Sequence, residues 1–89
     1  MNYYFVGIKG SGMAALACIL KDLGNNVSGA DINEYFFTEK ELRSRNIKID
    51  SLNAMHYKDN DIIIIGNSFI NIYNFKENKA ITYQEALAN

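Results

Sequence analysis

The chain opens on an apolar run, Tyr3-Tyr4-Phe5-Val6, that breaks at Gly7 and passes through Ile8-Lys9-Gly10-Ser11-Gly12-Met13 into a helical pattern. Strand, glycine turn and helix in that order restrict the fold sharply, because the turn builds a phosphate cradle from backbone alone. Glycines let a ligand approach the main chain without a Cβ in the way. The first amides of the helix have no intrahelical acceptor, and the helix dipole adds about half a positive charge there. A diphosphate suits such a site. The alternative is a turn that only packs helix against strand.

The rest of the chain repeats the alternation. Residues 3–7 read as a buried strand. Residues 11–23 read as a helix, with Met13, Leu16, Ala17, Leu20 and Leu23 on one face, Ser11 as N-cap and Gly24 as its stop. Asn26 to Ala30 forms a second strand that ends at Asp31. Residues 38–46 form a second helix, opened by a capping box of Thr38 and Glu41. Ile47 to Asp50 is a third strand, and 51–60 is polar and unassigned. Ile62-Ile63-Ile64-Ile65, ended by Gly66, is the clearest strand. A continuous apolar strand belongs in a parallel sheet covered on both faces. A short helix over 70–77, a weak strand over Ala80–Tyr83 and a helix from Gln84 to Ala88 complete the reading.

The fold class is therefore α/β, a Rossmann-like, doubly wound parallel sheet of about five strands in three α/β/α layers with right-handed crossovers. A chain of 89 residues makes one domain, 1–89. Ligands of such sheets sit beyond the carboxyl ends of the strands. Those ends are Gly7–Gly12, Asp31–Asn33 and Gly66–Ser68.

Composition narrows the function. A net charge of −1 argues against nucleic acid as a partner. No apolar run approaches a membrane span, and no signal-peptide pattern opens the chain. The one cysteine, Cys18, allows no internal disulfide and reads as a packing residue on the first helix. A cytoplasmic domain is expected. His56 stands alone in a polar stretch without a second ligand, so no metal site is expected. There is no Walker G-x-x-x-x-G-K-[ST] and no nucleophile set, so a binding role is expected and no catalytic residue is assigned.

The candidate binding residues are Lys9, Gly10, Ser11, Gly12 and Met13 in the turn, Asp31 after the second strand, and Asn67 and Ser68 after the fourth. Lys9 stands where the dinucleotide fingerprint has its middle glycine. Its ammonium either pairs with a phosphate or projects into solvent. An acid at the position of Asp31 binds a ribose hydroxyl in dinucleotide sites, or else caps its own loop. Asn67 and Ser68 offer hydrogen bonds to a ribose, base or diphosphate, with plain turn chemistry as the alternative. Tyr35-Phe36-Phe37 is read as a core cluster anchoring a helix, with stacking on a base as the alternative.

Gly7-Ile8-Lys9-Gly10-Ser11-Gly12-Met13-Ala14 resembles the G-I-G-G-S-G-M-S segment that opens the Mur ligases. Val27-Ser28-Gly29-Ala30-Asp31 is similar to the family's V-S-G-S-D, and Asp61 to Ile65 to its D-V-V-V-V strand. Ala80 to Ala88 is similar to the segment ending R-A-E-M-L-A. The likeness runs along nearly the whole chain and is greatest to the branch that joins L-alanine to UDP-N-acetylmuramate. It implies an N-terminal domain holding the UDP part of that substrate, with Gly10 to Met13 at the phosphates and Asp31 near the nucleoside. It also implies partner central and C-terminal domains outside this chain. ATP and Mg2+ would belong to the central one, and no cofactor would be bound by this domain. Two other readings stay open on the residues: an NAD-binding dehydrogenase domain and a regulatory nucleotide-sensing module.

Overall fold

The computed structural model describes residues 1–88. Five strands, β1 (Asn2–Val6), β2 (Asn26–Asp31), β3 (Lys48–Ser51), β4 (Ile62–Ile65) and β5 (Ala80–Thr82), form one sheet in the order β3-β2-β1-β4-β5. Every pairing is parallel, with Tyr3 opposite Val27 on one side and Ile62 on the other. Helix α1 (Ser11–Asp22) joins β1 to β2, α2 (Glu39–Ser44) joins β2 to β3, and α3 (Tyr83–Ala88) follows β5. This is the α/β, Rossmann-like arrangement expected.

Handedness decides which connection covers which face. Steps from β1 to β2 to β3 run one way across the sheet and carry α1 and α2 over one face. The chain then reverses direction to reach β4 and β5, so right-handed crossovers place residues 52–61 and 66–79 on the opposite face. The side chains sort accordingly. Phe5, Ile8, Met13, Ala17, Val27, Leu42, Ile47 and Ile64 form the core under the helices, with Tyr83 and Ala86 of α3 packed against it. Tyr4, Val6, Ala30, Ile63, Ile65 and Phe75 form the core on the other face, closed by Leu52, Met55, Phe69 and Tyr73. The third layer is thus built from coil and aromatic rings, where Tyr57 meets Tyr4 at 5.6 Å and Phe75 at 5.1 Å between centroids.

The helix expected over 70–77 is absent; a single 3-10 turn, Asn67–Phe69, precedes an irregular segment. An isolated helix of two turns is marginal, and asparagines favour turns. Phe75 is instead buried against the sheet. Ends of α1 and α2 follow their sequence signals. Gly24 has φ of 95° and Asn46 φ of 58°, each supplying the left-handed residue that ends the helix before it. The Asn25 and Ile47 amides then donate to Leu20 and Leu42 carbonyls at 3.1 Å. The caps at the other ends differ from expectation. Gly10, not Ser11, is the N-cap of α1, and Thr38 forms no capping box with Glu41. Among the described residues no helix is long and apolar enough to cross a membrane.

Candidate functional site

The sheet order puts β1 and β4 side by side while their connections leave on opposite faces. Between them the carboxyl edge opens into a crevice, the position where ligands of such sheets bind. A cleft of about 510 Å³ lies there, bounded by the turn after β1, the end of β2 and the turn after β4. The volume is within the ordinary range of small-molecule sites.

The turn after β1 is built backbone-first. Gly7 and Ile8 amides donate to the Ala30 carbonyl at 2.9 and 3.2 Å, and the Gly10 amide donates back to Gly7 at 3.2 Å. Gly7 has φ of 91°, which a side chain rarely adopts, and the Phe69 ring lies 2.8 Å from where its Cβ would stand. The first bond of α1 runs from the Ala14 amide to the Gly10 carbonyl at 2.7 Å. Amides of Ser11, Gly12 and Met13 precede that bond and have no intrahelical acceptor. Together with the dipole of α1 they make the positive end of the site.

Of the sequence candidates, Lys9, Gly10, Ser11, Met13, Asp31, Asn67 and Ser68 all line this cleft. Gly12 turns its Cα away from it: a Cβ there would stand 2.6 Å from Cζ of Tyr83 in α3. The third glycine therefore serves close packing of α1 against α3. Asn67 and Ser68 are exposed at the rim, on the 3-10 turn after β4.

Lys9 does not project into solvent, the second course that the sequence suggested for it. Its side chain is 4% exposed and turns inward. The ammonium donates to the carbonyls of Ile32 at 2.7 Å and Glu34 at 2.6 Å, and pairs with Glu39 Oε2 at 2.9 Å. The Lys9 amide donates to Asp31 Oδ2 at 2.7 Å, and the Lys9 carbonyl accepts from the Thr38 hydroxyl at 2.7 Å. Asp31 Oδ1 accepts the Ile32 amide at 2.7 Å. Asp31 thus holds the glycine turn with one oxygen and caps its own loop with the other. Glu39 also accepts from Arg43 Nη2 at 2.9 Å and from the Phe36 amide at 3.1 Å. The hydrogen bond from Lys9, opposed by burial and supported by Arg43 and the Phe36 amide, holds the Glu39 carboxyl at about 2.

Tyr35-Phe36-Phe37 is not the core cluster expected. Tyr35 is 72% and Phe37 74% exposed, because the loop that carries them is pinned across the cleft mouth by Lys9. Phe36 and Phe37 line the cleft instead. Sequence reasoning also missed Thr38 and Glu39 as partners of the turn. No local pattern links Lys9 to residues about thirty positions on; the pairing exists only once β1 and β2 lie side by side. Cys18 is buried in the helix-side core, where burial pushes its thiol up. His56 is exposed, with its amide and imidazole on the buried Asp50 at 3.0 and 3.4 Å. Among the described residues no group of three or more His, Cys, Asp or Glu side chains is placed to hold a metal ion.

The sequence profile of the family described as "Mur ligase family, catalytic domain" matches residues 2–88. No solved structure matches the chain. A profile that spans nearly every residue, over a parallel sheet with a glycine turn at its switch point, is a match to the whole unit: the chain belongs to the Mur ligase family.

Proposed function

We propose that the cleft holds the UDP part of UDP-N-acetylmuramate, in a ligase that joins L-alanine to that substrate. The open start of α1 at the sheet's switch point carries this reading. The first turn of α1, with its amides lacking intrahelical acceptors and with Ser11 and Met13 lining the cleft, stands at a cleft of diphosphate-accepting size, inside a family of ATP-dependent ligases. In this reading Ser11, Gly12 and Met13 give backbone amides to the diphosphate, with Gly10 leaving room for its approach. Asn67 and Ser68 offer side-chain hydrogen bonds to the ribose or the sugar. Asp31 lines the nucleoside end and keeps the turn in shape. Lys9 is no phosphate ligand, since its ammonium is already shared among three acceptors.

The described residues lining the cleft offer no carboxylate cluster for Mg2+. Asp31 is the one carboxylate lining the cleft, and each of its oxygens accepts one backbone amide. The reading therefore gives this chain substrate holding and no step of the phosphoryl chemistry. Its contribution to the reaction is orientation: binding energy from the remote nucleotide fixes the sugar acid relative to groups supplied elsewhere.

Titration with UDP-N-acetylmuramate and, separately, NAD, followed by amide NMR, tests the reading. Shifts at Ser11 to Met13, Asn67 and Ser68 with the sugar nucleotide are expected. Shifts there with NAD and none with the sugar nucleotide would refute it.

A further inference from the structure

Lys9 is a buried cation in a cleft proposed to take an anion, yet it has no proton to offer one. An ammonium has three donors. Those of Lys9 meet Ile32 O, Glu34 O and Glu39 Oε2, at 2.7, 2.6 and 2.9 Å. All the acceptors lie on the segment after β2. With its amide on Asp31 and its carbonyl under Thr38, this single residue ties the glycine turn to the chain from Asp31 to Glu39 at five points.

Residues 32–38 contain no helix or strand to order them. They carry Phe36 and Phe37, which line the cleft. The Phe36 amide is held by the same Glu39 carboxylate, and the Phe36 ring lies 6.0 Å from the Lys9 ammonium. Loss of the ammonium would free two loop carbonyls and leave Glu39 with Arg43 and the Phe36 amide. Burying such an ion pair costs desolvation that a surface pair does not, and here the pair's attraction and the hydrogen bonds that satisfy the ammonium and the carboxylate offset it.

We infer that Lys9 is a positioning residue: it sets the Phe36–Phe37 loop as the aromatic wall of the cleft and does not touch the phosphates. An aromatic wall stacks on a flat base and offers a phosphate nothing. Lys9 thereby governs recognition of the nucleoside part of the ligand, while the amides of α1 govern the diphosphate. This inference rests on the nucleotide reading of the cleft.

The test uses the whole chain with Lys9→Met and Glu39→Gln, two probes, and one measurement without ligand. UDP and inorganic pyrophosphate are titrated into each protein, and amide hydrogen exchange of residues 32–37 is followed in the free state. Both variants are expected to lose about tenfold in UDP affinity and to keep pyrophosphate affinity within about twofold. Loop amides should exchange faster in both, while those of β1 and β4 do not. Equal losses for UDP and pyrophosphate would make the ammonium a phosphate ligand and overturn the inference, as would unchanged loop exchange in both variants. If Lys9→Met fails to fold, Glu39→Gln, which retains the lysine, decides by the same readings. A wild-type chain that binds neither probe would refute the nucleotide reading, and loop exchange would still decide the role of Lys9.

Discussion

Gly12→Ala distinguishes a glycine that serves the ligand from one that serves the fold. Gly12 is the second residue of α1, and its missing Cβ is aimed at α3. A methyl carbon there would stand 2.6 Å from Tyr83 Cζ and 3.2 Å from Cε2. Carbon atoms pack at roughly 3.5–4.0 Å, so the ring must retreat by about 1 Å. No residue of α3 is buried, and the helix spans six residues, so it yields by shifting as a unit while α1 stays in place. Overpacking costs about 1–3 kcal/mol. A yielding neighbour puts this case near the lower bound, and better helix propensity in alanine recovers a fraction of it. A net loss of about 1 kcal/mol lowers Tm by roughly 4–8 °C in a domain of this size. Urea and thermal unfolding of Gly12→Ala, Tyr83→Ala and the double variant close the cycle. With Tyr83 removed, Gly12→Ala should be neutral or slightly stabilising, and UDP affinity should hold within about twofold throughout, since the Gly12 amide is unchanged. Equal destabilisation with and without Tyr83, or lost binding in a folded protein, would refute the reasoning.

Three further outcomes are expected. The Glu39 carboxyl lies at about 2 in the fold against an ordinary 4.5, so the stability it contributes is complete above about pH 4.5 and is lost as pH falls toward 2. Urea midpoints measured down that range should fall more steeply for the wild type than for Glu39→Gln. Tyr4→Phe removes a buried hydroxyl that donates to Asp50 Oδ2 at 2.7 Å, at a cost of about 1–2 kcal/mol in chemical unfolding. Burial pushes the Asp50 carboxyl up, but the Tyr4 hydroxyl with the His56 amide and imidazole holds it below its ordinary value, so a carboxyl-carbon NMR titration should find it raised in Tyr4→Phe. Leu42→Ala empties a fully buried site between α2 and the sheet and should cost about 2–5 kcal/mol by the same denaturation.

Much of the fold is legible along the chain because it depends on short-range signals. Apolar runs mark β1 and β4, Gly24 marks the end of α1, and the alternation implies parallel strands with the site at one edge. The segment 70–77 forms no helix because so short a helix is marginal by itself and Phe75 is drawn to the sheet face. The aromatic run 35–37 was misread for the converse reason. Three adjacent rings look like core, but a loop tied down by Lys9 and Glu39 presents Phe36 and Phe37 to the cleft and leaves Tyr35 exposed.

By itself, the sequence determined the strand–turn–helix opening, the α/β alternation and the residues that meet at the carboxyl edge, because each depends on local periodicity and backbone freedom. Only the tertiary structure decided what Lys9, Asp31 and Gly12 do there. Their partners are Glu39, the Lys9 amide and Tyr83, each far along the chain and reached only after the sheet closes. Side-chain direction in a turn follows from what packs across it, and no spacing within the turn encodes that.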